Sequence, residues 1–176
     1  FDAEINAFPG PPRRVACDTL LVSGGWSPVV HLASQAGAKP VWDDKLQAFL
    51  PPGSSSGWEA VGAAAGEGLE PPAPLFEIKA KGDKAFVDFQ HDVTADDVRL
   101  AHREGYQSVE HLKRYTTLGM ATDQGKTSQL NGHALLAAAT DRTIGAAGTI
   151  MSRAPYQPVA IGVLAGHHRE ESFRPV

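Results

Sequence analysis

Between residues 113 and 126 the chain reads KRYTTLGMATDQGK, with Lys113, Arg114 and Lys126 flanking Thr116, Thr117 and two glycines. This composition suits an anion. Lysine and arginine supply charge-assisted donors, and threonine hydroxyls add neutral ones. A helix opening at Gly125–Lys126 would aim free N–H groups at the same place. The same residues also suit plain architecture, because basic side chains at a helix C-terminus complement the helix dipole. On the residues alone two readings stand: a phosphate cradle, or a turn between two helices.

A second candidate is WEAVGAAAGEGLE, residues 58–70. Gly62 and Gly66 would let backbone approach a ligand, and the alanine run would open a helix whose N-terminus favours an anion. The stretch is not G-x-G-x-x-G, and that fingerprint occurs nowhere in the chain. Tight strand–helix packing through small residues is the commoner explanation of such a stretch.

Other reactive residue types form no recognisable constellation. Cys17 is the only cysteine, so neither an intrachain disulfide nor a cysteine-based metal centre can form. It sits in an apolar strand pattern, as an inert core thiol would. Histidines 31, 91, 102, 111, 133, 167 and 168 show no zinc spacing, and His167 and His168 read as solvent-facing. Ser54 to Ser56 make a loop, because G-x-S-x-G is absent.

The 176 residues are 42% hydrophobic and 20% charged, enough for a packed core in one domain or two small ones. A formal charge of −4 argues against nonspecific nucleic-acid binding. No targeting pattern or long apolar run appears, so neither membrane nor nucleic acid is expected as a partner and the expected location is cytoplasmic.

The elements that must position these residues fall into two parts. VACDTLLVSGG (15–25) reads as a buried strand closed by Gly24 and Gly25. SPVVHLASQAG follows as a short helix, with Ser27 as N-cap, Pro28 in its first turn and Gly37 as stop. PVWDDKLQAFLPPG supplies one or two strands ending in a turn. A proline-rich boundary is centred near 69–82.

Beyond it the pattern is helical. Thr94 caps ADDVRLAHREG, burying Val98 and Ala101 with Leu100 near the edge. Ser108 caps SVEHLKRYTTLG, whose apolar face is Val109, Leu112 and Tyr115, with Gly119 as stop. A third helix runs through SQLNGHALLAAAT with Leu130, Ala134, Leu135 and Ala138 inward. The tail, GTIMSRAPYQPVAIGVLAG, reads as an extended arm. The odd beginning, FDAEINAFPGPPRRV, suggests a piece of a longer polypeptide.

The string DFQHDVTADDVRLAHREGYQSVEHLKRYTTLGMATDQGKTSQLNG closely resembles the alpha subunit of heterotetrameric sarcosine oxidase. So do CDTLLVSGGWSPVVHLASQAGAKPVWDD and AVGAAAG, while GTIMSRAPYQPVAIGVLAG and SFRPV look like that family's lead-in to a folate-binding domain. The resemblance covers nearly the whole chain. It implies a mixed α+β fold in four parts. Residues 1–70 would end a pyridine-nucleotide-disulfide-reductase-like NAD-binding domain, and 71–84 would be a linker. Residues 85–145 would form a helical ferredoxin-like module, and 146–176 an arm toward an absent folate domain.

The resemblance further implies an oxidoreductase acting on CH–NH, which demethylates sarcosine to glycine, passes the one-carbon unit to tetrahydrofolate and forms hydrogen peroxide. FAD would lie on the beta subunit, FMN at the alpha–beta boundary and NAD on alpha, with beta, gamma and delta subunits as partners. Gly24, Gly25, Gly62 and Ala63 would border the dinucleotide; Ala63 stands where related reductases place a ribose-gripping Asp. Lys113, Arg114, Thr116, Thr117 and Lys126 would hold the FMN phosphate or dock a subunit. No residue of the chain would be catalytic, and the isolated chain would be inactive. A related secondary-amine dehydrogenase subunit and a purely structural docking module are the alternatives.

The helical part is also similar to the 2Fe-2S domain of bacterioferritin-associated ferredoxin. Its four cysteines correspond here to Asp88, Gln90, Asp123 and Ser128, so the resemblance implies a retained fold with the cluster lost. Asp88, His91 and Asp123 could alternatively form a hard-metal site, or simply be loop side chains.

Overall fold

The computed structural model describes residues 2–5, 13–16, 18, 26–55, 57–70, 75–77 and 84–168. Its strands pair only as neighbours. β1 (Asp2–Ile5) runs antiparallel to β2 (Arg13–Ala16), β3 (Val41–Asp43) to β4 (Ala48–Leu50), and β5 (Phe86–Asp88) to β6 (Val93–Thr94). No parallel sheet occurs among the described residues. Val15 and Ala16, which open the expected buried strand, are exposed at the end of β2. The rest of that strand, including Cys17, Gly24 and Gly25, lies outside the described residues apart from Asp18.

The first helix is shorter than its sequence suggests. α1 spans His31–Gln35, with Val30 rather than Ser27 at the N-cap and no side-chain cap. Gly37 does follow it in the left-handed region, at φ 93°. The alanine run forms a single 3-10 turn, Gly62–Ala65, not an α-helix. Gly66, at φ 88°, follows that run directly and turns the chain away.

The helical part follows its capping grammar closely. Thr94 caps α2 (Ala95–Arg103) through a capping box: its hydroxyl accepts from Asp97 N, while the Asp97 carboxylate accepts from Thr94 N at 2.8 Å. Ser108 caps α3 (Val109–Thr116) by accepting from His111 N. Val98, Ala101, Val109 and Leu112 are buried as the spacing requires, whereas Tyr115 is 42% exposed and leaves the core.

α4 (Gln129–Ala139) departs further from expectation. Its buried residues are Gly132, His133, Ala134, Leu136 and Ala137; Ala138 is exposed, and Leu130 and Leu135 are only half-buried. The helix is apolar on several sides, so periodicity does not choose its inner face. Packing against α2 and α5 (Ile144–Ala147) does. The core joins Val87, Val93, Val98, Leu112, Leu118, Leu136 and Ile150.

The N-terminal part is tied to this module by the arm. Ser152 N donates to Ser34 Oγ at 3.0 Å, and Met151 N to Glu110 Oε1 at 3.0 Å. Trp42 of β3 packs on Gly145, where a Cβ would come within 3.1 Å of the Trp42 Cβ. The arm is extended only in part, because Ile161–Ala165 forms a short helix, α6, with Ile161, Val163 and Leu164 exposed. No described helix is long and apolar enough to cross a membrane.

Candidate functional site

Of the four positions the resemblance aligned with cluster cysteines, Asp88, Gln90 and Ser128 meet around one buried carboxylate. Asp88, at the end of β5, is 2% exposed. Its Oδ1 accepts from Gln90 N at 2.9 Å and His91 N at 3.3 Å. Its Oδ2 accepts from Gly119 N at 2.9 Å and from Ser128 Oγ at 3.3 Å. Four donors therefore satisfy it, as burial of a carboxylate demands. Gln90 Oε1 accepts from Thr122 Oγ1 at 2.7 Å. Asp123 stands apart and organises its own loop, accepting from Gly125 N at 3.0 Å and from Thr127 N at 3.0 Å. Partial burial pushes its carboxyl up, but the Thr127 hydroxyl, which also donates to it, and these two N–H groups outweigh that and draw it below the usual range.

No group of three or more metal-ligating side chains occurs among the described residues. Asp88 is saturated by backbone and hydroxyl donors, and Asp123 faces its own turn. Neither offers the convergent oxygens that a hard cation requires.

The 113–126 stretch is a turn of several parts. α4 starts at Gln129, so Gly125 and Lys126 precede the helix and do not open it. The loop N–H groups of Gly125 and Thr127 are already bound to Asp123. Thr116 donates to Leu112 O at 2.8 Å and accepts from Leu118 N at 3.2 Å, closing α3. Thr117 sits at φ 63° and donates to Thr116 O. Gly125, at φ 75°, lies under the Gln129 side chain, and a Cβ there would come within 2.2 Å of Gln129 Nε2.

The three cations of that stretch separate. Lys126 Nζ donates to Tyr156 O at 2.9 Å and stands 4.9 Å from the Tyr156 ring centroid. Arg114 pairs with Glu110 at 3.4 Å and faces Tyr106, His111 and Tyr115. Lys113 is half-buried, with no ion pair among the described residues. Its pKa is lowered by burial and by Arg153 and Arg114, while Glu110 opposes the shift.

Two histidines were not singled out by any motif. His133, 1% exposed, has its pKa lowered to about 4 by burial and by nearby Lys113, and its Nδ1 has no hydrogen-bond partner. His31 is half-buried against Lys126, and its ring meets that of Tyr156 edge-on at 5.9 Å. Burial first, and Lys126 second, lower its pKa. Neither carries a sequence signal, because their burial is created by segments distant in the chain.

Beside the Asp88 network lies an open cleft of about 380 Å³, lined by Gln90, His91, Met120, Ala121, Thr122, Gln124 and Pro158. His91 Nδ1 lies 3.1 Å from Thr117 O, which connects the cleft to the 113–126 turn. Amides, a hydroxyl and an imidazole alternate there with Met and Pro. Such a lining suits a planar heterocycle with a polar edge. Gly62, at φ 59°, and the exposed Ala63 lie on the 3-10 turn and do not line this cleft.

Comparison with known proteins gives concordant matches. Residues 82–167 match a family model described as the sarcosine oxidase A3 domain. The chain is 41% identical over 204 aligned residues to sarcosine oxidase subunit alpha of Rhizobium meliloti (strain 1021), covering 95% of this chain. It is 37% identical to the subunit of the same name from Corynebacterium sp. (strain P-1). The chain spans only 21% and 22% of the length of these two relatives. Among solved structures, L-proline dehydrogenase from P. horikoshii superposes with a TM-score of 0.69 over 87% of this chain and 40% of its own, at 19% identity, which establishes a shared mixed α/β fold.

Proposed function

We propose that the chain belongs to the sarcosine oxidase alpha-subunit family, which its similarity to subunits of that name supports, and that it is a segment of an amine-oxidising flavoenzyme subunit that borders a flavin at a subunit boundary. The reaction of the whole enzyme would be oxidative demethylation of sarcosine, with the one-carbon unit passed to tetrahydrofolate and peroxide formed. The substrate and folate sites would lie outside this segment, with beta, gamma and delta subunits as neighbours and FAD on beta. The reading also takes residues 1–70 as the end of an NAD-binding domain, 71–84 as linker and 146–176 as the arm toward the folate domain. Gly24, Gly25, Gly62 and Ala63 would border the dinucleotide. A cytoplasmic complex fits this assignment.

The observation that carries the flavin reading is the Asp88 network with its adjoining cleft. On this reading Asp88, Gln90, Asp123 and Ser128 would occupy the places of thiolates in related modules, and all four are held by ordinary hydrogen bonds. The former cluster module would thus keep its fold without iron and sulfide, and the space beside it accepts an organic group. Gln90, Thr122 and Gln124 would meet the polar edge of a flavin, and Met120 and Pro158 its faces. When bound, FMN would relay reducing equivalents from the amine toward oxygen.

Lys126 keeps one of its three N–H donors after its bonds to the Tyr156 and Asp123 carbonyls. With Thr117 it would stand at the phosphate end, and Thr116 would brace the turn. Lys113 would add charge from the far side of α3. Met120→Arg tests the cleft, because residue 120 is 49% exposed and can change without disturbing the core. In the assembled enzyme the FMN-to-protein ratio after dialysis should fall while the subunits stay together. An unchanged ratio would remove the cleft from consideration.

A second reading, that the segment is a structural docking module, is favoured by one observation. Asp123 already occupies the Gly125 and Thr127 N–H groups that a phosphate would need. Lys126→Ala separates the two readings, since only a phosphate contact ties flavin retention to that side chain.

A further inference from the structure

Tyr115 lies on α3 at a position where helical spacing calls for burial, yet it is exposed and stacks on Tyr106 instead. The two ring centroids are 4.6 Å apart at an interplanar angle of 33°. His111, one turn earlier, meets Tyr106 edge-on at 6.4 Å and 80°. With Arg114 these residues line a cleft of about 330 Å³ at the corner between α2 and α3. None of the four belongs to the apolar core, so the fold does not need them there.

Arg114 is held in place. Its Nη1 donates to Glu110 O at 3.2 Å, and its Nη2 stands 3.4 Å from the Glu110 carboxylate. The other Glu110 oxygen accepts from Met151 N, which fixes the carboxylate that orients Arg114 and leaves part of the guanidinium for a further partner. A guanidinium has five N–H donors, and the remaining ones face solvent. The lining therefore offers a cation pre-oriented by the adjoining Glu110, an imidazole and two phenols.

We propose that this cleft receives an acidic segment of a partner subunit, with an Asp or Glu carboxylate on Arg114 and the adjoining backbone laid across the two tyrosine rings. Charge complementarity selects a carboxylate. Tyrosine and arginine are the side chains that anchor protein interfaces most strongly when covered. The inference rests on the multi-subunit reading above, but it assigns Arg114 to a protein contact and not to a cofactor phosphate.

The test uses the complex assembled from full-length subunits. Tyr115→Ala and Arg114→Glu are compared with wild type for subunit dissociation by mass photometry, at low salt and at about 0.5 M salt, where exposed charges are screened. Tyr115→Ala should weaken assembly about tenfold or more. Arg114→Glu should weaken it further and lessen the loss on adding salt, whereas Arg114→Lys should recover part of the affinity. Unfolding midpoints near wild type exclude a folding defect, since both positions are exposed.

Unchanged dissociation in both variants overturns the proposal. So does loss of flavin from an intact complex, which would make the cleft a cofactor pocket, or Tyr115-dependent self-association, which would make its occupant a second copy. Failure of the wild-type chain to assemble at all would instead overturn the proposed function, and this inference with it.

Discussion

Ser128 and Asp88 are separated by 40 positions, and the Ser128 hydroxyl donates to the Asp88 carboxylate at 3.3 Å inside the protein. The same oxygen accepts from Gly119 N, and its twin from the two residues that follow Gln90's predecessor, Phe89. One side chain thereby ties the end of β5, the turn after α3 and the start of α4. Hydrogen bonds to one buried carboxylate supply that cross-link.

Asp88→Ala should therefore destabilise the chain by about 2–4 kcal/mol, because several buried donors lose their acceptor at once. Asp88→Asn, which keeps the shape and one acceptor oxygen, should cost less. Urea midpoints at neutral pH provide the measurement. Equal midpoints for wild type and Asp88→Ala would mean that the network contributes nothing.

Iron should not be retained. With Asp, Gln, Asp and Ser at positions 88, 90, 123 and 128, no thiolate stands ready for a 2Fe-2S centre. Anaerobic incubation with iron and sulfide, followed by desalting, should leave no visible charge-transfer bands and no reduced-cluster EPR signal. A stoichiometric cluster would show that the module is misaligned.

Stability should fall as the medium becomes acidic between about pH 6.5 and 4, before ordinary carboxylates dominate. His133 has a folded pKa lowered to about 4, and an unfolded histidine titrates near 6.5. The unfolded chain thus takes up a proton that the folded chain resists. The stability of the neutral, buried form is complete above pH ~6.5 and is lost as pH falls toward the folded value. The full effect is about 3 kcal/mol. His31 shifts in the same direction. Urea unfolding at pH 7, 6 and 5 should show this decline in wild type and a shallower one in His133→Gln. Parallel curves would place the acid sensitivity elsewhere.

Lys126→Ala should loosen FMN in the assembled enzyme roughly ten- to hundredfold, the worth of one charge-assisted hydrogen bond of about 1.5–3 kcal/mol. Subunit assembly should persist. If Lys126 serves only the arm, flavin content stays constant, and the freed Tyr156 carbonyl appears as faster proteolysis near residues 153–160. A flavin-to-protein ratio beside a timed digest distinguishes these outcomes.

Local grammar was readable wherever one stretch of chain contained both partners of an interaction. Thr94 and Asp97, or Ser108 and the His111 amide, lie three positions apart, so caps and helix starts could be read directly. The strings shared with sarcosine oxidase alpha subunits were equally plain. What could not be read required partners far apart in sequence. The inner face of α4 depended on α2 and α5, because an almost wholly apolar helix carries no period to orient it. Tyr115 was turned outward to Tyr106, and Lys126 was drawn to Tyr156, 30 positions away. The sequence by itself therefore determined α2 and α3, their caps and their buried Val98, Ala101, Val109 and Leu112. Only the tertiary structure decided which carboxylate is buried and which partners Arg114 and Lys126 take, because burial and long-range hydrogen bonds exist only once the segments have met.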